Sequence, residues 1–266
     1  MKLDRQKLVI DFLFLLGLTI LILLCITNIL SEETQDESED IPTETVNLYA
    51  PISEKSHFAT FTDPQSDRNM DYHIYFPENA TQHMPLVVYL HGTGAIGHPD
   101  LNADNPAIVK TLEFYGDEFP YILLAPSSMY NRSWRQKHIP ALVKALVDDI
   151  VLKYKIDREK IIIIGHSMGA GGVFRQIELY GDFYSAAVPV SLTNTDNIDI
   201  LSCVDVPIWG FAGTEESPHE YNMRKFFDKI EESGGNVRFS ALEGAEHGNS
   251  ADFAFSKQVF DWALAQ

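Results

Sequence analysis

Residues 165–169 read Gly-His-Ser-Met-Gly, a G-x-S-x-G pattern that can present a reactive serine hydroxyl. Residues 160–164, just before the pattern, are rich in β-branched side chains and predict a short buried strand. Residues 169–180 carry apolar side chains at helical spacing, so a helix should follow the turn. A serine on such a turn stands at a helix N-terminus, which favours developing negative charge. The pattern therefore predicts Ser167 as a nucleophile.

A serine hydroxyl is a weak nucleophile, and it needs a neighbouring base. Among the nine histidines, His247 stands apart because it lies in a glycine-containing loop, residues 243–250. That loop joins the last predicted strand to the last predicted helix. We expect His247 to be the base. His166 adjoins the serine, but successive residues on a tight turn point in different directions.

The base in turn needs a carboxylate that orients its ring and stabilises its protonated form. In strand-turn-helix serine sites the order along the chain is serine, acid, histidine, so the acid should follow the strand predicted at residues 208–212. Two adjacent glutamates lie there, and only one of them can point at His247. We favour Glu216. The alternatives that remain open are Glu215, Asp196 and Glu220.

An acyl-transfer reaction also needs hydrogen-bond donors for the oxyanion of its tetrahedral intermediate. The N–H of Met168, directly after the nucleophile, is one expected donor. The second should come from residues 91–94, which read His-Gly-Thr-Gly after a predicted strand. We favour the N–H of Thr93, with that of Gly94 as the alternative. His91, Gly92 and Gly94 should form part of the substrate site, where His91 braces the loop by hydrogen bonding.

Residues 130–135 follow another predicted strand at the same end of the sheet and contain Trp134 between two arginines. An aromatic side chain in this position is suited to line a pocket for the acyl or alcohol part of a substrate. A role in packing remains an open alternative. We include Trp134 among the expected substrate-binding residues.

Strand and helix patterns alternate along most of the chain, which predicts crossover connections and an α/β fold with a mostly parallel central sheet and helices on both faces. Strands are predicted at residues 70–76, 86–90, 121–125, 161–164, 186–190, 208–212 and 237–242. Helices are predicted at residues 106–115, 139–154, 169–180, 219–233 and 251–265. Ligands of such sheets bind at the carboxyl ends of the strands, where the serine turn and the two loops above should meet.

The first 45 residues divide into three short zones. Residues 1–7 are basic, residues 8–30 are almost wholly apolar, and residues 31–45 are acidic with few apolar side chains. The apolar zone approaches the roughly 20 residues that span a bilayer and is long for a cleaved signal peptide. We expect a cytoplasmic N-terminus, a single-pass transmembrane signal-anchor and a disordered tether, with the domain of residues 46–266 outside the cytoplasm. Secretion after signal cleavage remains the alternative.

Charge and cysteine content exclude several classes of function. The formal net charge is −18, and residues 46–266 alone hold 17 basic and 29 acidic residues. Such a domain is a poor partner for nucleic acid or for an anionic membrane surface, so contact with the membrane is expected through the N-terminal helix only. Cys25 and Cys203 are the only cysteines, which argues against a disulfide, and no cysteine or histidine spacing indicates a metal site.

From about residue 70 onward the chain resembles the α/β-hydrolase serine esterases, in the branch of dienelactone-hydrolase-like, predicted-peptidase and polyhydroxybutyrate-depolymerase-like enzymes. The motifs that carry the resemblance are residues 90–94, residues 157–161, residues 165–172 and His247. The resemblance implies a Ser167–His247–Glu216 triad, no metal or cofactor, and hydrolysis of carboxylic esters. The chain departs from the family pattern at the acid, where relatives usually carry aspartate.

Three hypotheses of function follow from these residues. The first is an extracytoplasmic, membrane-tethered serine esterase acting on a small-molecule or polymer-linked ester. Short segments between the predicted strands favour small or exposed acyl groups. The second uses the same residues to cleave peptides, and the third is a non-catalytic interaction module on a hydrolase scaffold. Assays on esters and peptides, and labelling by a fluorophosphonate, discriminate among them.

Overall fold

The computed structural model describes residues 56–95, 106–128 and 133–266. The zones predicted at residues 1–7, 8–30 and 31–45 lie outside these ranges. Within the described ranges, the helices are all too short or too polar to cross a membrane.

A single eight-stranded sheet forms the centre of the described domain. Its strands are β1 (Ser56–Asp63), β2 (Arg68–Tyr75), β3 (Leu86–Leu90), β4 (Ile122–Pro126), β5 (Ile161–His166), β6 (Ala186–Val190), β7 (Ile208–Gly213) and β8 (Val237–Leu242). The order across the sheet is β1-β2-β4-β3-β5-β6-β7-β8. β1 pairs antiparallel with β2, and β2 pairs antiparallel with β4. The other six strands, β3 to β8, run parallel to one another. The predicted mostly parallel sheet is confirmed.

In the part of the chain that the structure describes, six helices cover the two faces of this sheet. They are α1 (Pro106–Tyr115), α2 (Ile139–Lys153), α3 (Met168–Tyr180), α4 (His219–Glu232), α5 (Ser250–Ala254) and α6 (Lys257–Leu264). Apolar side chains of α2, α3 and α4 pack in one core cluster with one face of the sheet. Those of α1, α5 and α6 pack in a second cluster with the other face. β3 to β7 are buried throughout except at half-buried His166, the last residue of β5, which explains their largely apolar sequences.

Two elements differ from the sequence prediction. β1 was not predicted, because its residues mix polar and apolar types and it pairs only at the sheet edge with β2. The single helix predicted over residues 251–265 is divided into α5 and α6. Phe255 and Ser256 leave helical backbone angles there, and the carbonyl of Phe255 accepts a hydrogen bond of 3.0 Å from the Thr111 hydroxyl of α1.

The parallel register brings several strand ends to one edge of the sheet. Leu90 of β3 is paired with Gly165 of β5, and His166 is paired with Val190 of β6. At the other side of this edge Gly213 of β7 is paired with Leu242 of β8. The loops that follow these strands therefore meet, and they are the loops that carry the predicted serine, acid, base and oxyanion donors.

Close packing of backbone against backbone holds the start of α3 beneath β3. A Cβ atom added to Gly169 would lie 1.8 Å from the carbonyl oxygen of Leu90, so a side chain there forces one of the two elements to move. A Cβ added to Gly94, in the loop after β3, meets no atom within 4 Å.

We expect Gly169→Ala to lower the free energy of unfolding by about 3 kcal/mol, because the clash is with backbone that cannot rotate away. Gly94→Ala is the matched control and should change the free energy of unfolding by less than about 0.5 kcal/mol. Urea denaturation of the two variants measures both values. Equal stability of the two variants would contradict the packing described.

Candidate active site

Ser167 occupies a sharp turn between β5 and α3. Its backbone angles are φ 56° and ψ −114°, a conformation that non-glycine residues rarely adopt. Its N–H donates a 2.9 Å hydrogen bond to the carbonyl of Val190, which ties the turn to β6. A Cβ on Gly165 would lie 2.6 Å from backbone atoms of Gly169, so the two ends of the turn must both be glycine. This geometry lifts the serine hydroxyl above the edge of the sheet.

Three predicted side chains meet at this edge in one line of hydrogen bonds. The Oγ of Ser167 lies 2.9 Å from Nε2 of His247. Nδ1 of the same ring lies 2.7 Å from Oε2 of Glu216. A carboxylate only accepts hydrogen bonds, so Nδ1 carries the proton and Nε2 offers its lone pair to the serine hydroxyl. The arrangement suits proton transfer from the hydroxyl to the imidazole.

Glu216 is the buried member of this line, with 4% of its surface exposed. Burial by itself would raise the pKa of Glu216, but hydrogen bonds from His247, the Ser191 hydroxyl and the Gly213 N–H hold that pKa below its usual value. The Ser191 Oγ and the Gly213 N lie 2.5 Å and 2.8 Å from Oε1. The carboxylate is therefore ionised and fully surrounded by donors near neutral pH.

The other candidate acids do not approach the base. Glu215 is exposed, and its own N–H donates to the carbonyl of Ala245. Glu220 is paired with Arg224 on α4 at 2.5 Å, and Asp196 is exposed in the loop after β6. Of the four carboxylates that the sequence left open, the structure places only Glu216 against the ring of His247.

Two buried groups brace the loop after β3. His91 is 2% exposed; its Nδ1 donates to the carbonyl of Gly92 at 2.7 Å and its Nε2 accepts from the N–H of Ser128 at 2.9 Å. Burial lowers the pKa of His91 to about 4, so the ring is neutral and can keep one donor and one acceptor. Trp134 donates its indole N–H to the carbonyl of His91 at 2.9 Å.

These positions correct two expectations about substrate contact. Trp134 is 1% exposed and packs against Gly172 of α3, so its side chain has no surface to offer a ligand. His91 is likewise buried, and it supports the loop rather than lining the site. The side chain of Trp134 packs inward beneath the loop after β3, which agrees with the packing role that the sequence left open.

A cavity of about 290 Å³ opens beside the serine. Gly92, Thr93 and Gly94 form one wall, in agreement with their predicted position. The remaining lining residues are Tyr89, Ala95, His166, Ser167, His247, Gly248, Ala251 and Asp252. In the described ranges no group of three or more His, Cys, Asp and Glu residues is placed to hold a metal ion.

The two residues predicted to donate their backbone N–H groups to an oxyanion lie near the serine: Met168 follows it directly, and Thr93 lines the same cavity. Met168 is the first residue of α3, so its N–H has no acceptor within the helix. Thr93 begins the short 3-10 turn Thr93–Ala95, and the adjoining Gly92 lies close to Ser167 across the cavity. Backbone N–H groups are of the type that an oxyanion site requires, and the assignment of these two stays a prediction.

Solved structures that superpose on this chain include several hydrolases. A thermostable esterase superposes with a TM-score of 0.70 at 26% identity; the match covers 81% of this chain and 64% of that one. An S-formylglutathione hydrolase from Staphylococcus aureus gives 0.60 at 16% identity, covering 79% of this chain and 96% of that one.

LpqC, a poly(3-hydroxybutyrate) depolymerase from Bordetella parapertussis, gives a TM-score of 0.61 at 13% identity, covering 83% of this chain and 96% of that one. The chain has the α/β-hydrolase fold. The resemblance that the sequence motifs indicated is thereby confirmed. This α/β-hydrolase chain spans 64% of the length of the thermostable esterase. No protein-family model and no curated protein sequence matches it.

Sequence reasoning missed three side chains that surround the proposed acid and base. Ser191 bonds Glu216, Ser250 lies 2.5 Å from the hydroxyl of Ser191, and Nε2 of His166 donates to the carbonyl of His247 at 2.8 Å. Single serines after a strand or at a helix start carry no local signal. The adjacency of His166 to the nucleophile was visible, but its contact with a loop 81 residues away was not.

The strained turn of this α/β-hydrolase predicts an effect on stability. We expect Ser167→Gly to be about 1 kcal/mol more stable than Ser167→Ala, because glycine relieves the backbone strain and loses part of that gain through its more flexible unfolded chain. Both variants lack the hydroxyl, so the difference reports the backbone alone. In thermal unfolding, the midpoint of Ser167→Gly should be higher than that of Ser167→Ala by about 2–4 °C. Equal or reversed midpoints would show that the turn is unstrained.

Proposed function

We propose that this chain is a serine hydrolase that cleaves carboxylic esters through Ser167, His247 and Glu216. The observation that supports the proposal most is the continuous line of hydrogen bonds from the serine hydroxyl to the buried carboxylate, 2.9 Å and 2.7 Å long. The line lies at the carboxyl edge of the sheet and beside an open cavity. The similarity to solved esterases and hydrolases agrees with it.

In the proposed reaction the Oγ of Ser167 attacks the carbonyl carbon of the ester. Its proton passes to Nε2 of His247, and the carbonyl oxygen becomes an oxyanion. The N–H groups of Met168 and Thr93 bind that oxyanion, with Gly94 as the alternative second donor. Glu216 remains ionised and stabilises the imidazolium through Nδ1–H. When the C–O bond breaks, His247 returns the proton to the departing alkoxide.

The second half of the proposed reaction hydrolyses the acyl-enzyme. His247 takes a proton from water, the resulting hydroxide adds to the acyl carbon, and the Ser167 alkoxide leaves and recovers its proton from the ring. The chemistry needs no cofactor. The cavity beside the serine has a volume of about 290 Å³, and this small size supports compact or exposed acyl groups as substrates.

The pair of adjacent glutamates provides a matched test of the proposed triad. We expect Glu216→Gln to lower kcat on p-nitrophenyl acetate by about 10³–10⁴-fold, because a neutral amide cannot hold the ring in the correct tautomer or stabilise its charged form. Glu215→Gln, an equal change one residue away on an exposed side chain, should leave kcat within about twofold. Initial rates at neutral pH measure both.

Ser167→Ala sets the baseline of this experiment. It should abolish covalent labelling by a fluorophosphonate and reduce ester hydrolysis to the same low level, while its circular dichroism spectrum matches that of wild type. Ester hydrolysis that survives in Ser167→Ala would refute the proposed nucleophile. Peptide cleavage without ester cleavage by the wild-type protein would replace the esterase proposal with the peptidase alternative.

We also propose that residues 8–30 tether the enzyme to a membrane with its catalytic domain outside the cytoplasm. The support is the apolar length of this segment and the basic residues Lys2, Arg5 and Lys7 before it. We expect the full chain to sediment with membranes and its catalytic domain to be digested by external protease in intact cells or spheroplasts. Residues 46–266 expressed alone should be recovered in the soluble fraction. A full-length chain found free in the medium would indicate cleavage and secretion instead.

A further inference from the structure

Two buried serines extend the line of hydrogen bonds beyond Glu216. The Oγ of Ser191 lies 2.5 Å from Oε1 of Glu216, and the Oγ of Ser250 lies 2.5 Å from that of Ser191. Both serines are fully buried. They belong to different elements, since Ser191 follows the end of β6 and Ser250 begins α5. None of these contacts involves the substrate cavity.

The direction of each bond follows from the number of protons available. Ser191 has one hydroxyl proton, and Oε1 of Glu216 can only accept, so Ser191 donates to Glu216. Ser250 must then donate to Ser191. The alternative acceptor for Ser250, the carbonyl of His247, lies farther away at 3.3 Å. The two serines therefore donate in sequence to Oε1 of the carboxylate, while the ring of His247 contacts Oε2.

The backbone at Ser191 shows that this contact is built under constraint. Its φ is 53°, in the left-handed region that disfavours residues with a Cβ. Its N–H donates a 2.7 Å hydrogen bond to the carbonyl of Phe211, so the residue is held to β7, two residues before Gly213. Glycine would satisfy this backbone at lower cost. A serine in such a position is explained by what its hydroxyl contacts, and that contact is the carboxylate.

We propose that Ser191 is a positioning residue for the triad acid and that Ser250 acts through it. The hydroxyl of Ser191 fixes the carboxylate plane of Glu216 so that Oε2 faces Nδ1 of His247, and it shares the negative charge. This inference rests on the proposed hydrolase function. It adds two residues that never touch the substrate to the set that determines the rate.

Loss of the Ser191 hydroxyl has a defined electrostatic consequence. The Ser191 hydrogen bond is one of the contacts that hold the pKa of Glu216 below its usual value, so its loss raises that pKa and the carboxylate is ionised only at higher pH. The other groups facing His247 are the ring of His166, 5.2 Å away, and that of His219, 6.2 Å away. Asp252 lines the same cavity. A substitution at Ser191 leaves all three unchanged.

The experiment compares Ser191→Gly, Ser191→Ala and Ser250→Ala with Ser185→Ala in the full-length protein. Ser185 is the matched control because its hydroxyl also bonds within the fold, to the carbonyl of Ile161 at 3.3 Å, but at the opposite end of the sheet. Ser191→Gly relieves the backbone strain and keeps the protein folded, and Ser191→Ala retains the Cβ. The pH profile of kcat/KM for p-nitrophenyl acetate is measured for each, together with thermal unfolding.

We expect both Ser191 variants to lose about tenfold in kcat/KM at neutral pH and to move the acid limb of the profile upward by about half a pH unit. Ser250→Ala should shift the limb in the same direction by a smaller amount. In the Ser191→Gly background, Ser250→Ala should add nothing, because the bond through which it acts is already absent. Ser185→Ala should keep the wild-type profile.

A folded Ser191→Gly protein with the wild-type profile would overturn the proposal. Additive effects of the Ser191 and Ser250 substitutions on kcat/KM would also overturn it. The same holds for a loss of activity that follows the loss of stability while the acid limb of the pH profile stays in place. These outcomes leave the proposed function intact as long as Ser167→Ala is inactive. Activity that survives in Ser167→Ala would instead remove the function on which the inference rests.

Discussion

The buried carboxylate of Glu216 is the constraint on which the rest of the site depends. An ionised group shielded from water is tolerated only when hydrogen-bond donors replace the lost solvent. Here the donors come from three chain segments: the residue after β6, the last residue of β7 and the loop after β8. The parallel register that aligns these strand ends is therefore a requirement for holding the charge, and the charge in turn orients the proposed base.

The nucleophile turn is held by a different balance. Ser167 keeps an unfavourable backbone conformation, and the strain is offset by packing that leaves no alternative path for the chain. Gly169 contacts the carbonyl of Leu90, and Gly172 contacts Trp134, so α3 lies closely against β3 and the loop before α2. The close packing of α3 against β3 also brings the 3-10 turn after β3 beside the serine. The backbone strain at Ser167 and the proposed oxyanion site therefore both depend on this packing.

The extent to which sequence predicted this structure depends on where each segment is buried. β3, β5 and β6 are covered on both faces, so continuous apolar runs marked them with errors of two residues at most. β1 lies at an edge with a mixed sequence and gave no such signal. The division of the last predicted helix at Phe255 depends on a contact with Thr111 of α1, which no local pattern contains. Trp134 was predicted to line a substrate pocket, with packing as the open alternative, and the structure buries it against Gly172.

The sequence by itself determined the alternation of strands and helices, the serine turn and the candidate loops, because these depend on local spacing and on burial of whole segments. It favoured Glu216 as the acid but left its neighbour Glu215 and two further carboxylates open. Only the tertiary structure decided between them, because the choice depends on which side chain turns inward towards Ser191 and Gly213. Ser191 is distant in sequence from the glutamates, and Gly213 lies at the end of a buried strand. Hydrogen bonding of a buried charge is a property of assembled elements, and no single segment carries it.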